Sequence, residues 1–233
     1  MFIAITIAII FAFLLLQVGV ALWERRAIWP YTDLQDYPRI PDKSPYPTNR
    51  IHQACALGFH FLGWAGDRRG ARYLLNYAFL VAPERDAIVT ICVGNIIGMR
   101  VESAIIHTPA IDGQRLYYTA DHQVGIEIDH SGQWKSQLAA DTGFQDQWTK
   151  HRAWLTAQNV TPRIFTYGHE LEEHRQIRHA HFQHLAALGL IKFIDPEKEW
   201  WRFTLKGAIK NAFIGYVYGM LRAITGGRFP KTA

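Results

Sequence analysis

The chain has 233 residues, 49% of them hydrophobic, and a formal net charge of +5. This length and composition allow one sizeable core, so we expect one domain or a compact pair after the N-terminal apolar run. The two cysteines, Cys55 and Cys92, lie in apolar surroundings without CxxC spacing. They indicate buried free thiols rather than a disulfide framework or a metal site, as in a reducing cytoplasm.

The N-terminal run from Phe2 to Trp23 is apolar except for Thr6 and Gln17. A bilayer core of about 30 Å is crossed by roughly 20 helical residues, so the run predicts a single transmembrane helix. Arg25 and Arg26 follow it directly. By the positive-inside tendency, the N-terminus lies outside and the soluble part lies in the cytoplasm, at the plasma or inner membrane. A cleavable signal peptide is the alternative, although no basic residue precedes the run.

Composition divides the chain into four segments. Residues 1–26 form the transmembrane anchor, and residues 27–50 form a linker that holds five of the ten prolines. Because proline restricts its own φ and the residue before it, we expect an extended spacer there. Residues 51–204 form a cytoplasmic α+β domain, and residues 205–233 form a basic amphipathic helix and tail.

The fold class expected for the soluble part is α+β. Strand-like runs from Arg72 to about Ile128, with a turn at Asp112-Gly113, predict an antiparallel β-meander. Helices are expected at 143–159 and 168–188, with a short strand at 163–167 between them. C-terminal helices and a β-hairpin, made of residues 190–194 and 199–203, then pack with the meander.

Histidines concentrate in the second of these helices, where five of the eleven lie between His169 and His184. At ~100° per residue, Glu170, His174 and His181 share one face, and inward carboxylate and imidazole groups suit a metal site or a general base. The spacing matches neither HExxH nor the ExxH pair of di-iron helices. A metal ion bound by Glu170 and His174, or by His181 and His184, would therefore need further ligands from other parts of the chain. The alternative is a helix with half-buried or exposed histidines and no ligand.

The end of this helix carries Leu188-Gly189-Leu190-Ile191, and the hairpin leads into Trp201-Arg202-Phe203-Thr204-Leu205-Lys206-Gly207. Over about 40 residues this pattern resembles the last third of winged-helix DNA-binding domains. The resemblance implies a DNA-binding regulator. Acidic residues at Glu170, Glu172 and Glu173 would oppose phosphates, so nucleic acid is the least favoured partner.

All 20 acidic residues precede Leu205, so the tail holds the excess positive charge. Its five bases are Lys206, Lys210, Arg222, Arg228 and Lys231. We expect Thr204 to cap a helix that lies on anionic lipid headgroups, or alternatively packs into the core.

Small residues form stripes on both terminal helices. Ala4, Ala8 and Ala12 recur at every fourth position of the first helix. Ala208, Ala212, Gly215 and Gly219 form a second stripe in the tail. Such stripes let helices approach closely, which predicts a protein partner or a homodimer.

Three classes of function remain open. The favoured one is a membrane-anchored, non-catalytic scaffold or interaction module without a cofactor, since the chain has no P-loop, GxGxxG, zinc motif or nucleophile elbow. The second is a metal- or histidine-dependent enzyme that uses the His169–His184 helix. The third is a membrane-tethered, winged-helix-like DNA-binding regulator.

Overall fold

The computed structural model describes residues 2–31, 49–66, 74–96, 99–121, 133–139, 143–197 and 199–212. The fold is α+β, as predicted. In chain order the elements are α1 (Phe2–Trp23), β1 (Arg26–Ala27), α2 (Asn49–Ala56), β2 (His60–Gly66), β3 (Leu74–Val81), β4 (Ile88–Ile96), β5 (Met99–Pro109), β6 (Leu116–Ala120), β7 (Trp134–Leu138), α3 (Phe144–Ala157), α4 (Glu170–Ala187), β8 (Ile191–Asp195) and β9 (Trp200–Phe203). The last helix among the described residues, α5, covers residues 205–212.

The chain divides into two compact units. Among the described residues, unit 1 comprises 2–28 and 182–212, and unit 2 comprises the stretches between 29 and 181. Helix α4 contributes to both, since His181 belongs to unit 2 and Phe182 to unit 1.

Unit 2 is built on a six-stranded sheet in the order β2-β3-β4-β5-β6-β7. Strands β3 to β6 pair consecutively and antiparallel, which confirms the predicted meander, and β2, which lies outside that prediction, pairs antiparallel with β3. Strand β7 departs from it, because it pairs parallel to β6, with Leu116 opposite Trp134. A parallel neighbour cannot be reached through a two-residue hairpin, so the turn signals that predict a meander do not identify this strand.

Helices cover both faces of this sheet. Side chains alternate between faces along each strand, so each central strand contributes residues to a core on either side of the sheet. On one face Val89 and Ile106 pack with Ala54 of α2 and Phe144 of α3. On the other, Phe79, Ile88, Leu116 and Trp134 pack with Trp29, Phe165 and Ile177 of α4.

Unit 1 contains a three-stranded sheet in the order β1-β9-β8. Strands β8 and β9 form the predicted antiparallel hairpin, and Arg26 of β1 pairs with Trp201 of β9. Its core includes Phe182 and Leu185 of α4, Trp201, and Ala21 from the last turns of α1. The end of α1 is therefore part of a folded core.

Helix α5 begins as the sequence predicts, with Thr204 as its N-cap. The Gly207 backbone N–H donates to Thr204 Oγ1 at 3.1 Å, and Thr204 Oγ1 donates to the Gly189 carbonyl at 2.6 Å. The Thr204 hydroxyl thus accepts a hydrogen bond from an amide in the first turn of α5 and donates one to a carbonyl that follows α4.

The predicted strand at 163–167 is wrong. The Arg163 N–H donates to the Pro109 carbonyl and the Phe165 N–H to the Arg85 carbonyl, so the segment bonds to two different parts of the chain. Only an isolated bridge, Ala110 with Pro162, lies beside it among the described residues. Proline cannot donate, which prevents a continuous ladder there.

Several predictions fall outside the described residues. They are most of the proline-rich linker (32–48), the last predicted strand and turn of the meander (122–132), and the tail from 213 onward.

Within the part of the chain that was described, no helix combines the length and the apolar character that a membrane crossing needs. For α1, side chains are described from Ile10 onward.

Candidate functional site: a buried histidine pair

The face that α4 turns toward the unit 2 sheet carries the residues predicted for a site. Glu170, His174 and His181 are all buried. His184 is half-buried and belongs to unit 1. The structure therefore places three of the four predicted residues on one inward face.

His174 faces His107, a histidine outside the predicted site residues. Its ring centroid lies 4.8 Å from that of His107 on β5, with the ring planes at 70°. His107 Nε2 is 3.4 Å from Thr90 Oγ1 on β4, a long contact that orients the ring. The Nδ1 atoms of His107 and His174 are buried and have no hydrogen-bond partner among the described residues.

Aromatic side chains surround this histidine pair. The His174 ring lies 6.0 Å from Trp29, and the His107 ring lies 4.7 Å from Tyr118. Trp134 stacks on His181 with 3.5 Å between ring centroids and lies 5.2 Å from Tyr118. An apolar wall of this kind disfavours a charged imidazole.

Both histidines of the pair are neutral at ordinary pH. Burial, together with the nearby Arg178, lowers the pKa of His174 to about 3. Burial also lowers the pKa of His107 well below its usual range, and His174, Arg178 and His151 add to the effect. A neutral imidazole keeps one nitrogen lone pair, which is the state needed for binding a metal or accepting a proton.

A third buried histidine, His151 of α3, provides a contrast on the opposite face of the same sheet. Its Nδ1 is 2.7 Å from Thr119 Oγ1 and its Nε2 is 2.9 Å from Thr108 Oγ1. Burial, with Arg152 beside it, lowers the pKa of His151 to about 3. Because both ring nitrogens have partners, His151 is a structural residue that joins α3 to β5 and β6.

Glu170 is engaged elsewhere. Its Oε1 lies 3.7 Å from Arg85 Nε at the turn between β3 and β4. The predicted combination of Glu170 with His174 is therefore replaced by two separate pairs, Glu170 with Arg85 and His174 with His107. Nowhere in the described part of the chain do three or more histidine, cysteine or acidic side chains come together around a metal-sized position.

No family model, no curated protein and no solved structure matches this chain.

The sequence carries a signal for the burial of His107, which is not among the predicted site residues. Residues 104–106 are apolar and belong to a central strand, so a histidine at 107 is a polar group in a buried ladder. Its contact with His174 could not be inferred, because the two lie 67 positions apart in the chain.

The predicted membrane-surface residues are only partly described. Lys206 is exposed and donates from Nζ to the Leu188 carbonyl at 2.9 Å, and Lys210 is half-buried. Arg222, Arg228 and Lys231 lie beyond residue 212, outside the described residues.

Proposed function

We propose that this protein is a single-pass membrane-anchored interaction module, with α1 as its transmembrane helix and the rest at the cytoplasmic face of the plasma or inner membrane. The observation that carries the proposal is the exposure of large apolar side chains along α1. Phe11, Phe13, Leu15 and Leu16 are 47% to 62% exposed.

These side chains spread over about 200° of the helix circumference, and the rest of the α1 sequence is also apolar apart from Thr6 and Gln17. At ~100° per residue, Phe11 and Leu15 lie close together, whereas Phe13 and Leu16 point to other sides. A helix that is apolar all round is stable either inside a protein core or inside a bilayer. The core is not available to these exposed residues, so lipid is the surrounding that suits them.

The same helix joins the folded part without a spacer. Ala21 is 3% exposed within the unit 1 core, with Val18 and Leu22 packed against that core. Arg26, held by Glu24 at 2.6 Å, lies over the Trp201 and Phe203 rings. The basic flank that orients the anchor is thereby part of unit 1.

A non-catalytic role is supported by the closure of the histidine pair. His107 is 3% exposed and His174 is 1% exposed, so a substrate has no direct route to either ring. A catalytic base must lie within hydrogen-bond reach of the proton it removes. The stripe of Ala4, Ala8 and Ala12 on α1 is our proposed contact for a second transmembrane helix.

Cys55 provides a test of anchor and orientation, because it is exposed in the native chain and not buried as its apolar neighbours in the sequence predict. We expect the full chain to stay in the membrane fraction after alkaline carbonate extraction. A membrane-impermeant maleimide should label Cys55 only after the cells are permeabilised. Recovery of the chain in the soluble fraction would overturn the anchor, and labelling in intact cells would overturn the orientation.

A matched pair of variants tests whether α1 is responsible for the attachment to the membrane. Replacing Leu15 and Leu16 by arginine should release the chain from membranes, because charged residues near a bilayer centre cost about 2.5–3.5 kcal/mol each on insertion scales. Replacing them by isoleucine should leave it bound. Cys55→Ser should remove the labelling and identify the reporter.

A second candidate function, metal- or histidine-dependent chemistry, rests on the unpartnered Nδ1 atoms of His107 and His174. Metal analysis of purified protein should then find a bound transition metal that His107→Ala or His174→Ala abolishes and His151→Ala retains. A metal content near zero in the native chain would remove this candidate. Winged-helix-like DNA binding is not favoured, because Asp195, Glu197 and Glu199 surround the hairpin turn and would repel phosphates.

A further inference from the structure

The two sides of α5 differ in what they contact. Ala208 and Ala212 are buried, and Ala208 belongs to the unit 1 core with Leu190 and Phe203. Gly207 is packed so closely that an added Cβ would lie 1.8 Å from the Leu190 carbonyl oxygen. The small-residue stripe predicted from the sequence is therefore used inside unit 1 over its described part.

The large apolar residues of α5 face the other way. Leu205 is 59% exposed and Ile209 is 52% exposed. They are four residues apart, so their side chains lie within ~40° of each other on the helix. Lys206, which is exposed, and Lys210, which is half-buried, follow each of them by one residue and form the adjacent strip of the helix. We name these four residues the α5 outer face.

This arrangement is opposite to that of a helix in a water-exposed position. A soluble helix buries its large apolar residues and exposes its small and polar ones. Here the small residues are buried, and leucine and isoleucine are exposed next to lysines. An apolar strip bordered by lysines is the pattern of a helix that lies in a membrane interface, where the lysine stems extend toward the headgroups.

We infer that the α5 outer face lies on the anionic headgroup region of the same membrane that α1 crosses. The inference rests on the proposed anchor, because Ala21 of α1 and Ala208 of α5 belong to one core. The positive charge of the tail also favours anionic lipid, since residues 205–233 carry five bases and no acid. Unit 1 is thus attached to the bilayer at two points, the end of α1 and the outer side of α5.

The test uses the full chain in lipid nanodiscs, with an environment-sensitive dye on Ile209→Cys in a Cys55→Ser, Cys92→Ser background. We expect blue-shifted emission that spin-labelled lipid quenches, and more strongly in phosphatidylglycerol nanodiscs than in phosphatidylcholine nanodiscs. Each base near an anionic surface changes partitioning roughly fivefold. Quenching that is absent, or equal in the two bilayers, would overturn the inference.

Lys210 is the lysine to reverse, because Lys206 also bonds the Leu188 carbonyl and its loss would alter the end of α4. Lys210→Glu should lower quenching in anionic nanodiscs toward the neutral-lipid level, whereas Lys210→Arg should keep it. An unchanged signal in Lys210→Glu would count against the inference. Failure of the native chain to enter nanodiscs would instead overturn the α1 anchor, so the two proposals fail in distinguishable ways.

Discussion

Two consecutive charged residues fix the turn between β3 and β4. Arg85 has a positive φ of 58°, donates to the Phe165 carbonyl at 2.6 Å and pairs with Glu170. Asp86, whose side chain is 5% exposed, pairs with Arg152 of α3. A single turn is thereby held by helices on both faces of the unit 2 sheet.

Arg152→Ala should destabilise unit 2 by roughly 1–3 kcal/mol, because it leaves the buried Asp86 carboxylate without its ion-pair partner. Urea unfolding followed by tryptophan fluorescence measures the change. The double variant Asp86→Asn, Arg152→Ala should recover part of the loss. Arg115→Ala removes the exposed pair with Asp112 and should cause no measurable change. Equal losses of unfolding free energy in Arg152→Ala and Arg115→Ala would contradict the stabilising role of the Asp86–Arg152 pair.

At the level of elements, helix α5 depends on its close approach to the chain after α4. Gly207→Ala should destabilise unit 1 by about 1–3 kcal/mol or more, since its Cβ would meet the Leu190 backbone rather than a movable side chain.

Gly143→Ala is the matched control for that substitution. Gly143 has a φ of −64°, and an added Cβ would lie 3.5 Å from Gln53 Oε1, an ordinary contact. Alanine at this N-cap should cost at most about 1 kcal/mol, because alanine is a poorer N-cap than glycine. Thermal unfolding of both variants checks the difference, and a Gly207→Ala protein as stable as the native one would show that α5 can move away.

Elements with local signals could be predicted from the sequence. The β8–β9 hairpin and the Thr204 cap are of this kind, because each depends on a few neighbouring residues. Long-range pairings could not be predicted. The parallel register of β7 on β6 and the packing of His174 on His107 depend on which distant segments meet. The burial of small rather than large residues on α5 likewise depends on the backbone of Leu190.

For the whole molecule, the end of α1 has a structural role besides its proposed role as an anchor. A chain that starts at Val18 should keep unit 1 intact, whereas one that starts at Glu24 loses the packing of Val18, Ala21 and Leu22. The expected loss is roughly 2–3 kcal/mol from the transfer free energy of the removed side chains. Urea unfolding of the two chains in detergent measures it, and equal midpoints would contradict the packing role.

Three buried histidines should make stability depend on pH. The unfolded pKa is near 6.5, and the folded pKa values of His151 and His174 are about 3, while that of His107 is also well below 6.5. Below pH 6.5 the unfolded chain therefore binds more protons than the folded chain. The stability that the neutral histidines contribute is complete above pH 6.5 and is lost as the pH falls toward 3. At pH 5, His151 and His174 should each lower the unfolding free energy by about 2 kcal/mol.

Unfolding free energies between pH 6.5 and 5 measure this effect, because carboxylates titrate mostly below that range. A slope that corresponds to uptake of about two protons, by His151 and His174, is expected toward the lower end, and His107 adds to it in the same direction. His151→Gln should reduce the slope by about one proton, provided that the variant folds. A pH-independent stability over this range would contradict the burial of neutral histidines.

The pairing of Arg26 with Trp201 has a consequence for the order of events in the cell. Strand β1 leaves the ribosome early, but its partner β9 is synthesised 175 residues later. At a synthesis rate of about 5–20 residues per second, β1 is made roughly ten to thirty-five seconds before that partner. Throughout this interval the basic flank and the last turns of α1 lack the core that later covers them. Unit 2 is synthesised during the same interval, so unit 1 is completed last.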